Sequence, residues 1–472
     1  MITQEGQQAI KTREDQEPIL FGIDGDGNYR LSEGQEASWL KDGETFDTSK
    51  LRERIEPWLT SLFQTEHFSL LLGSGLTEAN HRKATGEGAT GMDAQGFTTF
   101  KEKIDQAAKE SAKEANRSEG NFEDQLRVAN ELIRGIELYC INEGESEDET
   151  IQSLIQEKND LANEIQTVLG NFSNSILQDE KRIIEQAVED NALNYLVNFL
   201  MSFASRTGTR DRLHIFTTNY DRLIETGSEL AGLHLLDRFI GDLKPIFRAS
   251  RMNIDMHYDP PGIRGEPRYL EGVARFTKLH GSLDWFYSNG EVHKLGIPFG
   301  ASDIKPFIEV PGLEDSSMHN LMIYPNEAKD RDTAGYPYVE LFRDFAAANC
   351  RPNSTLVTYG YGFADSHINR VIEDMLSIPS THLVIISYND NLGTIKQFYD
   401  RIGRPAQISL LIGNHLGNIE NLVNNYLPKP AIDKVTSRME ELLRKRGYAK
   451  SDQVDGTQRN NGQNDEIQNP ET

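Results

Sequence analysis

Short apolar runs of strand length recur through the second half of the chain, and they constrain the fold more than any other feature. The runs are LHIF, FTKLH, NLMIYP, STLVTYG, HLVIIS and ISLLIG, and segments with helical spacing such as HINRVIEDML and LGTIKQFYDRI separate some of them. The runs are predominantly apolar and do not alternate with polar residues, which is typical of a strand buried on both faces. Strands that alternate with helices predict an α/β fold, with a Rossmann-like parallel sheet and helices on both faces.

The first half of the chain is mostly helical in pattern. Segments such as FEDQLRVANELIRGIELYC and IIEQAVEDNALNYLVNFLMSFAS place apolar residues at steps of three and four, which predicts a helical subdomain inserted at about 97–205. We expect the domain that contains it to span 51–427, after an acidic N-terminal extension at 1–50. The pattern also predicts a C-terminal helix at 428–450. Residues 451–472 hold almost no apolar side chains and are expected to be disordered.

Charge and composition exclude several classes of protein. The 472 residues include 74 acidic and 49 basic side chains, which gives a formal net charge of −25. Duplex binding depends on basic side chains that displace counterions, so we expect no direct nucleic-acid binding. No apolar run approaches the length that spans a bilayer, and the N-terminus lacks the apolar core of a signal peptide, so we expect a cytoplasmic protein without membrane contact. Cys140 and Cys350 are the only cysteines, which excludes a four-cysteine zinc site, and we expect no bound metal.

Polar residues follow four of the predicted strands, at the edge where doubly wound sheets bind their ligands. The first such motif is GSGLT, residues 73–77, after the run HFSLLL. Gly73 and Gly75 lack Cβ atoms, so backbone N–H groups there could approach a phosphate at the start of a helix. An ordinary tight turn explains a strand followed by Gly-x-Gly equally well when the motif is taken alone.

The second motif is TTNYD, residues 217–221, which follows LHIF. Asn219 offers both a donor and an acceptor, which suits a ribose hydroxyl or a positioned water molecule. Asp221 could hold a carboxamide or stabilise developing positive charge. Thr, Asn and Asp also cap helices well, but capping explains one of these residues and not the cluster.

The third and fourth motifs are KLHGSLDW, which contains His280, and LVTYGYGFADSHINRVI, residues 356–372. A histidine can accept a proton from a sugar hydroxyl, although a lone histidine is also often a structural residue. In the fourth motif, Gly360 and Gly362 precede Asp365 and a predicted helix. Backbone amides there could hold phosphate or ribose, or the segment could be a glycine turn with a helix cap.

These four motifs, in this order, resemble the sirtuin family, and more specifically its sirtuin-like branch in bacterial antiviral defence operons. GSGLT corresponds to the glycine-rich NAD loop of sirtuins, TTNYD to their Thr-Gln-Asn-Ile-Asp box, and LHG to the segment with the catalytic histidine. IYPNEAKD (323–330) and YGYGFADSHIN (359–369) are similar to later segments of the defence branch, and the resemblance runs loosely from about 65 to 412. It implies NAD as substrate and Asn219, Asp221 and His280 as catalytic residues. The implied cofactor-binding residues are Gly73, Ser74, Gly75, Thr77, Thr218, Gly360, Gly362, Asp365 and Ser387.

The sequence departs from protein-deacetylating sirtuins in two ways. Those enzymes carry four zinc-binding cysteines and a Gly-Ile-Pro-x-Phe-Arg stretch after the glycine loop, whereas here GSGLT runs into EANHRKATGEG. Both departures favour hydrolysis of NAD to nicotinamide and ADP-ribose. The resemblance also implies an effector of antiphage defence that acts by NAD depletion, gated by homo-oligomerisation, a HerA-type hexameric ATPase or a phage-derived activator. A zinc-independent protein deacylase and a non-catalytic NAD or ADP-ribose sensor remain open as alternatives.

Overall fold

The computed structural model describes residues 2, 6–24, 26–114, 119–141, 148–190, 192–206, 210–258, 268–288, 290–308, 321–323 and 335–429. The first of two units, Met1–Pro428, contains every element described below. The predicted C-terminal helix lies outside the described residues apart from its first two positions, and the predicted tail lies wholly outside them. Within the described residues, no helix is both long and apolar enough to cross a bilayer.

The described strands and helices follow in chain order. The strands are β1 (Gln7–Lys11), β2 (Ile19–Ile23), β3 (Tyr29–Leu31), β4 (His67–Leu72), β5 (His214–Thr217), β6 (His234–Leu236), β7 (Phe239–Ile240), β8 (Ile246–Phe247), β9 (His257–Tyr258), β10 (Arg268–Tyr269), β11 (Val273–Lys278), β12 (Gly281–Ser288), β13 (Glu291–Lys294), β14 (Leu321–Ile323), β15 (Ser354–Tyr359), β16 (His382–Ser387) and β17 (Ile408–Ile412). The helices are α1 (Thr48–Leu62), α2 (Ser74–Thr85), α3 (Lys101–Glu114), α4 (Phe122–Tyr139), α5 (Glu149–Asp190), α6 (Ala192–Ala204), α7 (Leu223–Leu230), α8 (Lys305–Ile308), α9 (Tyr338–Asn349), α10 (Ser366–Leu376), α11 (Thr394–Ile402) and α12 (Ile419–Asn421).

A ten-stranded sheet forms the centre of the fold, in the order β3-β2-β1-β17-β16-β15-β4-β5-β11-β6. The strands from β17 to β6 are parallel to their neighbours. Strands β1 to β3 extend the sheet antiparallel beyond β17. The Rossmann-like parallel sheet predicted from the apolar runs is therefore confirmed.

Each face of the sheet packs against its own set of helices. In β4, Leu70 and Leu72 join one core together with Ile55 of α1. Leu71, which points to the opposite face, joins a second core with Phe345 of α9. Because side chains alternate across a strand, an unbroken apolar run such as HFSLLL can supply both cores at once. The predicted helices on both faces are confirmed.

Helices α3 to α5 surround a third core, which stands apart from the two sheet cores. Phe122 of α4 and Phe172 of α5 stack with their ring centroids 4.4 Å apart, and Tyr220 and Phe286 belong to the same cluster. Helix α6 behaves differently, because its Phe199 packs in a core of the central sheet. Tyr220, which lies between two predicted catalytic residues, therefore connects the carboxyl edge of the sheet to the helical block.

A smaller antiparallel sheet follows β11 in the chain, in the order β14-β12-β13-β8-β7, and β9 pairs with β10 separately. Strand β12 begins at Gly281, immediately after His280. The run NLMIYP contains β14, which pairs with β12 in this second sheet and not in the parallel one. An apolar run indicates a buried strand, but it does not specify the sheet to which the strand belongs.

Candidate functional site

The carboxyl ends of five parallel strands lie in one register row. Ile386, Tyr359, Leu72, Thr217 and Lys278 pair across β16, β15, β4, β5 and β11. The four polar motifs begin at this row or directly beyond it. The sheet topology therefore brings segments that are far apart in the chain to a single edge, where open α/β sheets bind ligands.

The glycines of the first and fourth motifs pack backbone against backbone. The amide of Gly75 donates to the carbonyl oxygen of Gly360 at 3.0 Å, and the amide of Gly73 donates to that of Tyr359 at 3.1 Å. A Cβ atom on Gly75 would lie 2.5 Å from the Cα atom of Gly360, whose φ is +62°. These glycines are required for the close approach of the two loops. The Gly73 and Gly75 amides already have protein acceptors, so the phosphate role predicted for them does not follow from this geometry.

Ser74 is the residue of the glycine loop that remains available to a ligand. It is exposed and begins α2 directly after Gly73, which occupies the N-cap position. Within the described residues, the Ser74 amide donates no hydrogen bond. The N-terminus of a helix carries partial positive charge, so this amide and the Ser74 hydroxyl are suited to an anionic group such as phosphate.

Asn219 is buried and held by the glycine loop. Its Nδ2 donates to the carbonyl oxygen of Gly73 and to Oγ1 of Thr77, each at 3.0 Å. Its amide donates to Oγ1 of Thr217, the last residue of β5, at 3.0 Å. Among the described residues, Oδ1 of Asn219 accepts no hydrogen bond. This oxygen is therefore the atom with which Asn219 could accept a hydrogen bond from a ligand hydroxyl or a water molecule.

Thr77 links Asn219 to Asp221. While its Oγ1 accepts from Asn219, it donates to Oδ2 of Asp221 at 2.5 Å. The other carboxylate oxygen of Asp221 accepts the amide of Leu223 at 3.0 Å, at the start of α7. Both oxygens of Asp221 thus hold the structure together. Oδ1 of Asp221 caps the start of α7, as the capping explanation predicts. Oδ2 accepts from Thr77 and is thereby linked to Asn219.

Two buried cations fix the segment that carries Asn219 and Asp221. Nζ of Lys278 donates to the carbonyl oxygens of Tyr220, at 3.4 Å, and of Asp221. The Arg222 guanidinium forms a buried salt bridge with Glu180 of α5. Burial raises the pKa of Glu180, and the hydrogen bonds from Arg222 oppose that rise. The sequence reasoning missed both cations, although a lysine in the apolar strand FTKLH is a visible signal.

His280 pairs with Asp365 across the edge of the sheet. His280 Nε2 lies 2.9 Å from Oδ2 of Asp365, and both side chains are about nine-tenths buried, with exposed fractions of 11% and 8%. Oδ1 of Asp365 accepts the amides of His367 and Ile368 at the start of α10. A carboxylate only accepts hydrogen bonds, so Nε2 of His280 donates in this pair, and Nδ1 is the acceptor of the neutral imidazole.

The His280–Asp365 bond joins the end of β11 to the loop after β15. Strands β4 and β5 lie between these two strands in the sheet, and their ends carry the glycine loop and Asn219. The amide of Leu279, the residue before His280, donates to the carbonyl oxygen of Thr217 at 2.8 Å. His280 and Asn219 therefore follow two hydrogen-bonded, adjacent strand ends, although neither side chain bonds directly to the other.

Tyr361 supports the Asp365 side of the site. Its hydroxyl contacts the carbonyl oxygen of Asp365 at 3.3 Å and Oδ1 of Asn369 at 3.0 Å. Burial raises the pKa of Tyr361 well above its ordinary value, with a further contribution from the charge of Asp365. Tyr361 therefore stays a neutral donor, and it fixes the loop from which the Asp365 carboxylate extends.

The remaining predicted residues lie at or beyond the margin of this network. Thr218 follows β5, and its amide donates to the carbonyl oxygen of Leu72 at 3.2 Å. The carbonyl oxygen of Gly362 accepts from Oγ1 of Thr394 at 2.6 Å. Ser387 ends β16 and donates its hydroxyl to the carbonyl oxygen of Asn389 at 2.7 Å. The structure places these three residues near the carboxyl edge, but none of these hydrogen bonds connects them to the side chain of Asn219 or His280.

Within the described residues, no group of three or more histidine, cysteine, aspartate and glutamate side chains is placed to hold a metal ion. Cys140 and Cys350 are both free thiols. Most of the predicted segment IYPNEAKD, from 324 to 330, lies outside the described residues.

Comparison with known proteins identifies one domain. Residues 213–402 match the family model of the SIR2-like domain. The match begins just before β5 and ends at the last residue of α11, so it contains Asn219, Asp221, His280 and Asp365, whereas the glycine loop precedes it. No curated protein matches the chain. The chain therefore contains a SIR2-like domain, which supports membership among sirtuin-like proteins and an enzymatic activity that depends on NAD.

Proposed function

We propose that this protein hydrolyses NAD to nicotinamide and ADP-ribose. The observation that carries the proposal is the hydrogen bonding of two side chains at adjacent strand ends. Asn219 and His280 are each held by the protein through one polar atom, and each keeps a second polar atom that bonds to no described residue. Fixed groups with one open acceptor are suited to positioning a sugar hydroxyl or a water molecule.

The substrate would lie along the carboxyl edge of the sheet. Its pyrophosphate would be bound by the amide and hydroxyl of Ser74 at the N-terminus of α2. The ribose attached to nicotinamide would then meet Oδ1 of Asn219 and Nδ1 of His280. This placement uses only atoms that the protein leaves unbonded within the described residues.

In the proposed reaction, the bond between the ribose C1′ and the nicotinamide nitrogen breaks, and its electron pair leaves with nicotinamide. The ribose passes through an oxocarbenium-like state, and the oxygen of a water molecule forms the new bond to C1′. Nδ1 of His280 takes a proton from the ribose hydroxyl or from this water. The Asp365 carboxylate then lies 2.9 Å from Nε2 of the resulting imidazolium and stabilises its positive charge. The net products are nicotinamide, ADP-ribose and one proton.

The direct test follows nicotinamide release from NAD by the purified full-length protein, without any acylated peptide. We expect release by the wild-type protein and a loss of about a hundredfold or more for Asn219→Ala and for His280→Ala, because each change removes a positioned polar group. His234→Ala is a matched control, since His234 is exposed on the edge strand β6.

The outcomes also separate the alternative functions. Release that requires an added acyl-lysine peptide would indicate a deacylase, and tight NAD binding without any product would indicate a sensor. Undiminished release from both the Asn219 and the His280 variants would refute the assigned roles.

We further propose that the activity serves antiphage defence by depleting NAD and is gated by self-association, by a HerA-type ATPase or by a phage-derived activator. The resemblance described above supports this proposal. The exposed apolar side chains of Leu138, Tyr139 and Ile141 at the end of α4, with exposed fractions of 53%, 70% and 72%, also support an association surface. The test is to measure the mass of the protein in solution and its NAD cleavage with and without the ATPase. A monomer whose activity no partner changes would contradict the proposal.

A further inference from the structure

A second concave region lies at the opposite edge of the sheet, where the parallel strands begin. It is a cavity of about 500 Å³ between the first residues of β4 and β5 and the C-terminal half of α9. Its lining includes four arginines, namely Arg210, Arg212, Arg275 and Arg351. The volume falls within the range of small-molecule sites in proteins.

The positive charge of this cavity is only partly balanced. The cavity is also lined by three aspartates, and an arginine already pairs with each of them. These pairs are Arg212 with Asp255 at 3.1 Å, Arg238 with Asp344 at 2.6 Å and Arg351 with Asp211 at 2.9 Å. Among the described residues, no carboxylate lies within 4.0 Å of the guanidinium of Arg210 or of Arg275. Two lining guanidinium groups therefore form no salt bridge with a described carboxylate, although Asp344 still interacts with Arg275 at longer range, in a chain whose formal net charge is −25.

The sheet itself is unusually polar at this position. His214 is the first residue of β5 and is buried, and its Nε2 lies 2.8 Å from Oγ1 of Thr277. Burial lowers the pKa of His214 well below its ordinary value, and the charges of Arg275, Arg238 and Arg351 lower it further. Ser69 of β4 lines the same cavity. Strands buried on both faces are normally apolar, so His214 and Ser69 are buried polar exceptions at the end of the sheet that borders the cavity.

We propose that this cavity binds a small oxyanion with two or more negative charges, carried by phosphate or carboxylate groups. The planar guanidinium group donates hydrogen bonds in a fork that matches both groups. Such a ligand would supply the salt-bridge contact that Arg210 and Arg275 do not make with any described carboxylate. The site lies at the other end of the strands from Asn219 and His280, so this inference stands whether or not the protein cleaves NAD.

The test is a calorimetric titration of the full-length protein with inorganic pyrophosphate and, separately, with citrate. We expect saturable binding of at least one of the two, and the preferred probe identifies phosphate or carboxylate as the recognised group. Arg275→Gln should weaken this binding by about tenfold or more, because it removes a charge-assisted hydrogen-bond donor. Arg343→Gln is the matched control, since Arg343 lies on α9, which borders the cavity, with 66% of its side chain exposed and Glu340 as its partner.

Pyrophosphate could also bind at the loop that contains Ser74. The comparison of the two variants shows whether the measured binding occurs in the cavity, because, of the two arginines, only Arg275 lines it. The result that would overturn the proposal is an equal affinity of the Arg275→Gln and Arg343→Gln variants, or no saturable binding of either anion up to about 10 mM. Circular dichroism verifies that each variant is folded. If Arg275→Gln does not fold, Arg210→Gln takes its place with the same expected and contradicting results, because Arg210 is exposed.

Discussion

Among single residues, Asp365 is the main feature of the site, because its two carboxylate oxygens make two different contacts. One carboxylate oxygen caps α10 through the amides of His367 and Ile368, while the other bonds to His280. The rigid helix thus fixes the carboxylate, and the carboxylate orients the imidazole. Asp365 therefore acts on the reaction through His280, as a positioning residue.

The change Asp365→Asn tests this role. The amide oxygen of asparagine can keep the cap on α10, but the residue loses the charge that stabilises an imidazolium. We expect kcat for nicotinamide release to fall by about tenfold to a hundredfold, with a smaller change in KM, because the loss is felt mainly after proton transfer. Asp374→Asn, an exposed position on the same helix, is the control. A loss confined to KM would show that Asp365 contacts the substrate instead.

The sequence predicts the residues at strand ends better than it predicts the bonds between them. Asn219 and His280 stand out because polar side chains follow buried strands, and this signal is local. The pairing of His280 with Asp365 joins residues that are 85 positions apart, and no local pattern contains it. The sequence interpretation therefore assigned Asp365 to cofactor binding, on the adenosine side, whereas the structure bonds its carboxylate to His280.

At the scale of elements, the contact between the loops after β4 and β15 gives a prediction about stability. A Cβ atom on Gly360 would lie 2.6 Å from the Cα atom of Gly75, at a φ of +62°, whereas one on Gly362 would meet no atom within 4 Å. We expect Gly360→Ala to lower the free energy of unfolding by about 1–3 kcal/mol because of overpacking and backbone strain. Gly362→Ala should leave it nearly unchanged. Urea unfolding measures both, and equal effects would contradict the contact.

The salt bridge between α5 and the segment after β5 gives a second prediction. Arg222 and Glu180 have side-chain exposures of only 6% and 2%. Removal of the guanidinium by Arg222→Met leaves the buried carboxylate of Glu180 without its cationic partner, with the amide of residue 222 still donating to Oε1. We therefore expect a loss of about 3–5 kcal/mol in the free energy of unfolding. Arg52→Met at the exposed pair with Glu56 should cost less than about 1 kcal/mol. Similar losses at the two sites would show that the buried bridge has no special role.

The apolar runs predict the strands of the parallel sheet, but they miss the second sheet. Strand β12 is buried at nearly every position, so it shows no alternation, and its sequence GSLDWFYS contains several polar residues. A hairpin signal was nevertheless present in the dipeptide Asn289-Gly290, and Gly290 has a φ of +80°. This dipeptide favours the tight turn between two antiparallel strands.

At the scale of the whole molecule, stability should depend on pH through buried histidines. His382 begins β16, and burial together with the charges of Arg13 and Lys11 lowers its pKa from 6.5 to about 4. The unfolded chain therefore binds this proton more tightly than the folded protein does. The contribution of the neutral His382 to the free energy of unfolding is complete above pH 6.5 and is lost as the pH falls towards 4. The size of this contribution is about 3 kcal/mol.

The change His382→Gln isolates this contribution. Glutamine can keep a hydrogen bond to Oγ of Ser409, the partner of the histidine at 2.8 Å, but it does not titrate. We expect the variant to lose less unfolding free energy than the wild-type protein between about pH 6.5 and pH 4, as measured by urea unfolding at several pH values. Parallel curves for the two proteins would contradict the assignment.

The sequence predicts the helices between 101 and 204, but it does not predict which core each helix packs in. All the segments between 101 and 204 share the same helical periodicity, so the pattern alone does not separate them. In the structure, α3 to α5 enclose their own core, whereas α6 packs on the central sheet. These helices differ in the surface against which each one packs, and a periodic pattern does not identify that surface. The cavity lined by arginines escapes sequence reasoning for the same reason.

The most direct test of whether Asn219 and His280 form one site is a crystal structure of the full-length protein with ADP-ribose. We predict that the terminal ribose lies within about 3.2 Å of both Oδ1 of Asn219 and Nδ1 of His280, with the pyrophosphate at the amide of Ser74. ADP-ribose found only elsewhere, or a ribose that meets one of these side chains and not the other, would contradict the claim that the two residues form one site.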